Sequence, residues 1–204
     1  MSDREHGRRL HRTVLTRQCG QVARNSPILG TVSRCLVLAC QSSGVLIRDA
    51  TTADWPRIWP FWHQIAVAGE TYSWHPATTF DQARTQWLEP PPSRVFVAED
   101  GTDLVGSAQL HPNYGPSSRI ANASFIVDPA RSGQGIGRRL VQHTLDEARA
   151  TGYRAMVFNA VVETNLNAVH LYQSMGFTIL ATVPEAFEHP TLGFVGLHIM
   201  YYKL

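Results

Sequence analysis

The segment Val127-Asp128-Pro129-Ala130-Arg131-Ser132-Gly133-Gln134-Gly135-Ile136-Gly137-Arg138-Arg139-Leu140 constrains this chain more than any other. An apolar run ends at Asp128-Pro129, three alternate glycines follow, and an amphipathic helical pattern begins. Glycines let a backbone approach a ligand closely and aim several N–H groups at one point, and a helix N-terminus adds partial positive charge. A strand, a glycine loop and a helix in that order make an anion site, with a pyrophosphate as the natural ligand. Arg131, Arg138 and Arg139 lie close by in sequence. The Walker loop does not fit, because the segment has no Gly-Lys-Ser/Thr. The dinucleotide fingerprint fails because Arg138 stands where its last glycine belongs. The ligand-free alternative is a helix start with glycine turns.

The elements around this loop alternate strand and helix. Val45–Arg48 reads as a short strand, and Thr51 or Thr52 caps a helix running to about Val67. Pro56 falls in its first turns, where proline is tolerated, whereas Pro60 predicts a kink. Gly69 ends that helix and opens Glu70-Thr71-Tyr72-Ser73-Trp74. Thr79 with Gln82 three residues on marks the next helix as a capping box. Arg94–Glu99 and Leu104–Leu110 form a hairpin around Asp100-Gly101, and Ile120–Val127 is a further strand. The glycine-loop helix runs to about Ala150 with Ile136, Leu140, Val141, Leu145 and Ala148 on one face. Tyr153–Val162 is a continuous apolar strand, as buried strands are. Asn165–Met175 is a short helix, stopped by Gly176, and Phe177–Val183 and Phe194–Tyr202 are the last strands. This is an α/β sandwich, a mixed sheet covered by four helices.

Charge and cysteine divide the chain at about residue 44. Residues 1–44 carry seven arginines against Asp3 and Glu5, while residues 45–204 carry eleven basic against fourteen acidic side chains. The basic surplus belongs to the leader, so the main domain shows no nucleic-acid footprint. All three cysteines, Cys19, Cys35 and Cys40, also lie in the leader. An odd count without a CxxC pair argues against a disulfide framework and a structural zinc site, and fits a reducing cytoplasm. No stretch reaches the roughly 18 apolar residues that span a bilayer. The expected organisation is a disordered basic extension over 1–44 and one domain over 45–204. Three alternatives stand beside it: a natural start near Val45, a transit segment, and a lipoprotein signal at Val37-Leu38-Ala39-Cys40, whose apolar run Arg34 interrupts.

Thirty residues after the glycine loop comes Asn165-Leu166-Asn167-Ala168-Val169-His170-Leu171-Tyr172-Gln173-Ser174-Met175-Gly176-Phe177. Together the two segments resemble the GCN5-related N-acetyltransferase (GNAT) superfamily. Its cofactor loop reads Arg/Gln-x-x-Gly-x-Gly/Ala, and its later signature reads Asn-x-x-Ala-x-x-Leu-Tyr-x-x-x-Gly-Phe. The second matches at every position; the first departs at Ser132, which stands where the family usually has Arg or Gln. The resemblance covers about residues 45–204. It implies a splayed mixed sheet of about seven strands covered by four helices, and acetyl transfer from acetyl-CoA to an amine.

It also implies roles for single residues. The amides of Gly133, Gln134, Gly135, Ile136 and Gly137, with Ser132 and Arg138, would hold the cofactor. A backbone N–H of the preceding strand, Ile126 or Val127, would stabilise the thioester oxygen. Tyr172 matches the family's general acid, and a phenol can donate a proton to a leaving thiolate. Its alternative is a packed tyrosine on the helix stripe. Asn165 matches the residue near the pantetheine arm and also suits a helix N-cap. Glu70 is the candidate base, with a water chain or a solvated surface glutamate as alternatives.

The chain is similar to phosphinothricin-type enzymes near Ser124, although those tend to carry Glu where it has Asn122. It also resembles the azetidine-2-carboxylate and proline-analogue acetyltransferases in the combination of Asn122, Asn159 and Asn165. Asparagines on adjacent splayed strands could bind a carboxylate or carbonyl without adding charge; the alternative is one asparagine ending a ladder and another capping a loop. Tyr72, Trp74, Phe187 and His189 could wall an acceptor pocket, or simply pack, as aromatics in loops more often do. The histidines are scattered without HExxH, so no catalytic metal is expected. The expected partner is a small-molecule amine, with no nucleic acid and no membrane, and the sequence leaves homodimerisation open. Two other classes remain: a protein N-terminal or lysine acetyltransferase, and a non-catalytic CoA-binding regulator.

Overall fold

The structure is a computed structural model and describes residues 44–204. The extension expected over 1–44 lies, except for Gly44, outside the described residues. Seven strands form one sheet: β1 (Leu46–Asp49), β2 (Arg94–Asp100), β3 (Asp103–Pro112), β4 (Ile120–Val127), β5 (Ala155–Val162), β6 (Thr178–His189) and β7 (Gly193–Lys203). Four helices accompany them: α1 (Trp55–Ala68), α2 (Phe80–Trp87), α3 (Ile136–Ala150) and α4 (Leu166–Ser174). The strand order is β1-β2-β3-β4-β5-β7-β6. Among these pairs only β4–β5 is parallel.

Local chemistry explains most boundaries. Thr79 accepts from the Gln82 amide, and the Gln82 side chain returns to the Thr79 amide, so the expected capping box starts α2. The first helix begins later than expected, because Thr52–Asp54 forms a 3-10 turn and Pro56 then occupies the first turn of α1. Gly69 closes α1 in the left-handed region. The largest departure is β6, expected to end at Val183 and observed to reach His189. Pro184, which cannot donate to a ladder, reads as a strand end. Here it sits in a bulge, because Val183 pairs with Leu197 and Phe187 with Val195. Phe187 and His189 are therefore strand residues.

Each face of the sheet has its own core. Phe96, Ala108, Leu110, Ala121 and Ala123 pack against Ile136, Leu140, Val141 and Leu145 of α3. Val95, Val97 and Ile126 pack against Trp55, Ile58 and Trp62 of α1 and Trp87 of α2. Alternation along β4, Ala123 to one side and Ile126 to the other, is the two-residue period of a strand buried on both faces. Full burial of such side chains contributes roughly 1.5–3 kcal/mol each. Gly106 permits the close approach of α3 to β3, since a Cβ there would lie 3.0 Å from Leu140 Cδ1 and 3.0 Å from the Ile126 carbonyl. No helix among the described residues is long and apolar enough to cross a membrane.

Candidate active site

The site begins with a separation of two strands. β4 and β5 pair only at Ile120–Ala155 and Ala121–Met156, after which they diverge. A cleft of about 1060 Å³ opens between them, running from the glycine loop to the segment after α1. Gly133 and Gly135 have φ of 77° and 78°, and the space a Cβ would occupy at each is open. These two glycines are needed for backbone conformation, and their bareness leaves the loop concave. Gly137 differs: a Cβ there would sit 3.4 Å from Leu171, an ordinary contact. The pattern's tolerance of alanine at that position follows.

Backbone donors converge here without acceptors. From Gly133 to Arg138 no amide N–H meets a protein acceptor among the described residues. The last three of those are first-turn amides of α3, which have no intrahelical partner. The ladder adds one more. Asp128 N–H donates to Val105 at 3.0 Å, so Ile126, two residues earlier, also faces β3. Ala123, Phe125 and Val127 then face the divergent side. Of the two expected backbone donors, Val127 is turned into the cleft with its N–H free, and the Ile126 amide belongs to the β3 ladder. Ser132 lines the cleft beside Gly133. Arg131 is held by Asp100 and Asp103 at 3.2 and 3.1 Å. Arg138 has no acidic partner among the described residues and donates to Ser174 Oγ at 2.6 Å. These features suit an extended, phosphate-bearing ligand such as acetyl-CoA.

Tyr172 projects from α4 into the same cleft, its ring 4.6 Å from Phe158 and 6.2 Å from Phe125. Burial, and then the nearby Tyr72, push its phenol well above the usual tyrosine range. Asn165 caps α4 by accepting from the Ala168 amide at 3.2 Å, and it lines the cleft as well. Both of its expected roles are thus compatible.

The other end of the cleft is aromatic and mostly neutral. Tyr72 stacks on Trp74 at 3.9 Å and 10°, and Trp74 stacks on Trp62 at 4.4 Å and 19°. Burial pushes the Tyr72 phenol up to about 12. Its hydroxyl donates to the Phe125 carbonyl at 2.8 Å and accepts from the Phe125 N–H at 3.0 Å. Asn122 lines the cleft with its Oδ1 accepting from Ala123 N–H at 2.8 Å. Asn159 exchanges two amide bonds with Asn113 at the rim. Glu70 is exposed and is the one carboxylate among the lining residues. Phe187 lines the cleft, while His189 does not.

Two groups escaped the sequence reading. Gln109 is buried, lines the cleft and donates to the Gln86 carbonyl at 3.2 Å. A polar residue at an inward position of a strand was its available signal. Phe125 contributes through its backbone, which no residue type announces. Among the described residues, no three His, Cys, Asp or Glu side chains gather as metal ligands would.

Known proteins share this fold. A family described as "Acetyltransferase (GNAT) family" matches residues 59–177. The structure of a GCN5-related N-acetyltransferase from Kribbella flavida is 51% identical, with a TM-score of 0.75, covering 78% of this chain and 98% of that one. The yncA structure from Salmonella typhimurium, solved with its cofactor acetyl-CoA, is 26% identical with a TM-score of 0.68, over 78% of this chain and 94% of that one. The L-amino acid N-acyltransferase MnaT of Escherichia coli is 29% identical over 144 residues, 68% of this chain and 83% of that protein. A shorter match, 36% over 86 residues, takes in 42% of this chain and 41% of N-acetyltransferase aca1 of Schizosaccharomyces pombe. With more than half of the chain matched, and the expected seven strands and four helices in place, this chain belongs to the GNAT acetyltransferase family and is an acetyl-transferring enzyme.

Proposed function

We propose that the chain transfers an acetyl group from acetyl-CoA to the amine of a small molecule, with amino acids as the first candidates. The observation that carries this reading is the run of acceptor-free amides from Gly133 to Arg138 at one end of the β4–β5 cleft. Those amides and the α3 N-terminus suit a pyrophosphate, Arg138 adds a cation, and the Val127 N–H and Asn165 suit the pantetheine arm. Bound acetyl-CoA supplies the activated acyl group. Tyr172, protonated at any working pH, would give its proton to the departing sulfur. Glu70, or water reaching the cleft, would take the proton that the acceptor amine loses.

Size and charge of the cleft favour a small acceptor. Glu70–Trp74 form one wall and Phe187 another. Gln109 and Asn122 offer neutral polar groups to a carboxylate or carbonyl, and Asn159 braces the rim through Asn113. Relatives named for amino-acid substrates support the same class: MnaT is called an L-amino acid N-acyltransferase. Residues 45–204 would form the catalytic domain, working in the cytoplasm.

The test is a thiol-release assay with the purified chain, acetyl-CoA and a panel of L-amino acids, proline analogues, methionine sulfone, amine antibiotics and peptides. Turnover of at least one free amino acid or small amine is expected. Acetylation of peptides alone would overturn the small-acceptor reading. Tight acetyl-CoA binding with no transfer to any acceptor would make the chain a regulator.

A further inference from the structure

Three residues of β4 turn their backbone groups toward the side that β5 has left. Each meets a different fate. Ala123 N–H is capped by Asn122 Oδ1 at 2.8 Å. Val127 N–H stays free. Phe125 has both its N–H and its carbonyl occupied by one hydroxyl, that of Tyr72. A phenol oxygen thus sits on the edge amide between a capped one and a free one, on the wall of the cleft. Its ring has little freedom, because it stacks on Trp74, which stacks on fully buried Trp62. The hydroxyl proton remains mobile, since rotation about the C–O bond redirects it without moving the ring.

We infer that the Tyr72 hydroxyl, held in place by the Phe125 N–H, is a donor for the acyl oxygen, its proton turning from the Phe125 carbonyl to that oxygen when an acyl group enters. This assignment rests on the acetyl-transfer reading above. The lone pair of the acceptor nitrogen forms a bond to the acyl carbon, and the carbonyl π pair moves onto oxygen. The Tyr72 hydroxyl, itself polarised by the Phe125 N–H, holds the charge that builds there. The pair then returns, the C–S bond breaks with its electrons on sulfur, and sulfur takes a proton from Tyr172. The surplus proton of the amine leaves to Glu70 or water, and Tyr172 regains its proton from solvent once product has formed. Tyr72 loses no proton in this sequence. Burial, which raises its phenol, keeps it a donor at neutral pH. Giving up a neutral carbonyl for a charged oxygen exchanges a weaker hydrogen bond for a stronger one, and that gain is largest when the charge is largest. The two phenols divide the work, Tyr72 toward oxygen and Tyr172 toward sulfur.

Isotope-edited infrared spectroscopy of the full chain with acetyl-CoA carrying ¹³C at the thioester carbonyl tests this directly. Hydrogen bonds lower the carbonyl stretch, so the bound band should lie below that of free acetyl-CoA. Tyr72→Phe should return the band part of the way, while Tyr172→Phe should leave it in place. The single-turnover rate of Tyr72→Phe should fall roughly 10²–10³-fold, as for loss of one oxyanion donor. Its acetyl-CoA dissociation constant should change by less than about threefold, a difference well under the tenfold step of an affinity scale. An unmoved band in Tyr72→Phe overturns the assignment, as does a rate loss matched by equal losses of affinity and melting temperature. Should that variant not fold, ring-fluorinated tyrosine at position 72 gives a stronger donor, and the band must then move further down. A shifted band in a chain that acetylates nothing would defeat the functional reading and leave the Tyr72 contact standing.

Discussion

Burial holds the Tyr172 phenol well above its ordinary value, and Tyr72 adds to the effect. A group so shifted stays protonated and keeps its donor. Tyr172→Phe keeps the ring that packs on Phe158 and removes the proton. The single-turnover rate should drop at least roughly tenfold, the lower end for general acid catalysis with water substituting in part. Affinity for acetyl-CoA should barely change, and equal rates in variant and wild type would remove the acid role. The sign of the shift also fixes a pH profile. Because the phenol deprotonates only above its ordinary pKa of about 10, the wild-type rate should show no descending limb from Tyr172 up to that pH. At this scale the sequence reached side chains more readily than backbone groups, though His189 does not line the cleft. Tyr172 and Asn165 were legible from the motif, and Gly133 and Gly135 from their spacing. Which of the Phe125, Ile126 and Val127 amides face β3 and which face the cleft was not readable there. That parity is set by strand register, a tertiary property.

Elements follow the same division between local and tertiary control. The α2 capping box and the glycine stop after α1 were readable because their partners lie within four residues. The extent of β6 was not, because a proline that ends most strands is here accommodated by a bulge against β7. The junction of β1 with α1 was also illegible, since its anchor spans three elements. Arg48 of β1 donates twice to Asp54, at 2.8 and 2.8 Å, and once to Glu99 of β2 at 2.7 Å. Asp54 is buried and also accepts from the Thr51 amide at 2.7 Å. Hydrogen bonds from Arg48 hold its carboxyl far below the usual carboxylate range. Breaking a buried pair costs roughly 3–5 kcal/mol, and with Arg48 a third exposed Asp54→Asn should cost about 2–3 kcal/mol at pH 7. The stabilisation requires ionised Asp54. It is complete above the ordinary aspartate pKa of about 4 and declines as pH falls below it. Urea denaturation should therefore show the gap between wild type and Asp54→Asn narrowing from pH 7 to pH 3. A constant gap would mean that the bonds to Thr51, not the charge, carry the stability.

On the scale of the molecule, both cores among the described residues are built from residues 45–204. The α3-side cluster draws on every strand from β2 to β5 and on β7, and Val45 and Ile47 pack against its edge. The α1-side cluster uses α1, α2 and strands β2 to β4. The catalytic proposal likewise needs only residues from Trp62 to Leu197, the extremes of the cleft lining. A chain beginning at Val45 should therefore fold cooperatively and bind acetyl-CoA with the affinity of the full protein. Ligand should raise its stability by mass action, about 2.7 kcal/mol at a hundred times the dissociation constant. A chain beginning at Ala50 is the informative contrast. It loses β1, the four β1–β2 register pairs, the Ile47 contact and the Arg48 anchor of Asp54. That leaves Asp54 as a buried carboxylate with only Arg57, at 3.9 Å, beside it, so the melting temperature should fall between the two starts while acetyl-CoA still stabilises whatever folds. Calorimetric melting of both chains, with and without ligand, decides the matter. If the Val45 chain already melts as low as the Ala50 chain, the catalytic unit extends upstream of β1, and the boundary drawn from charge and cysteine content is wrong.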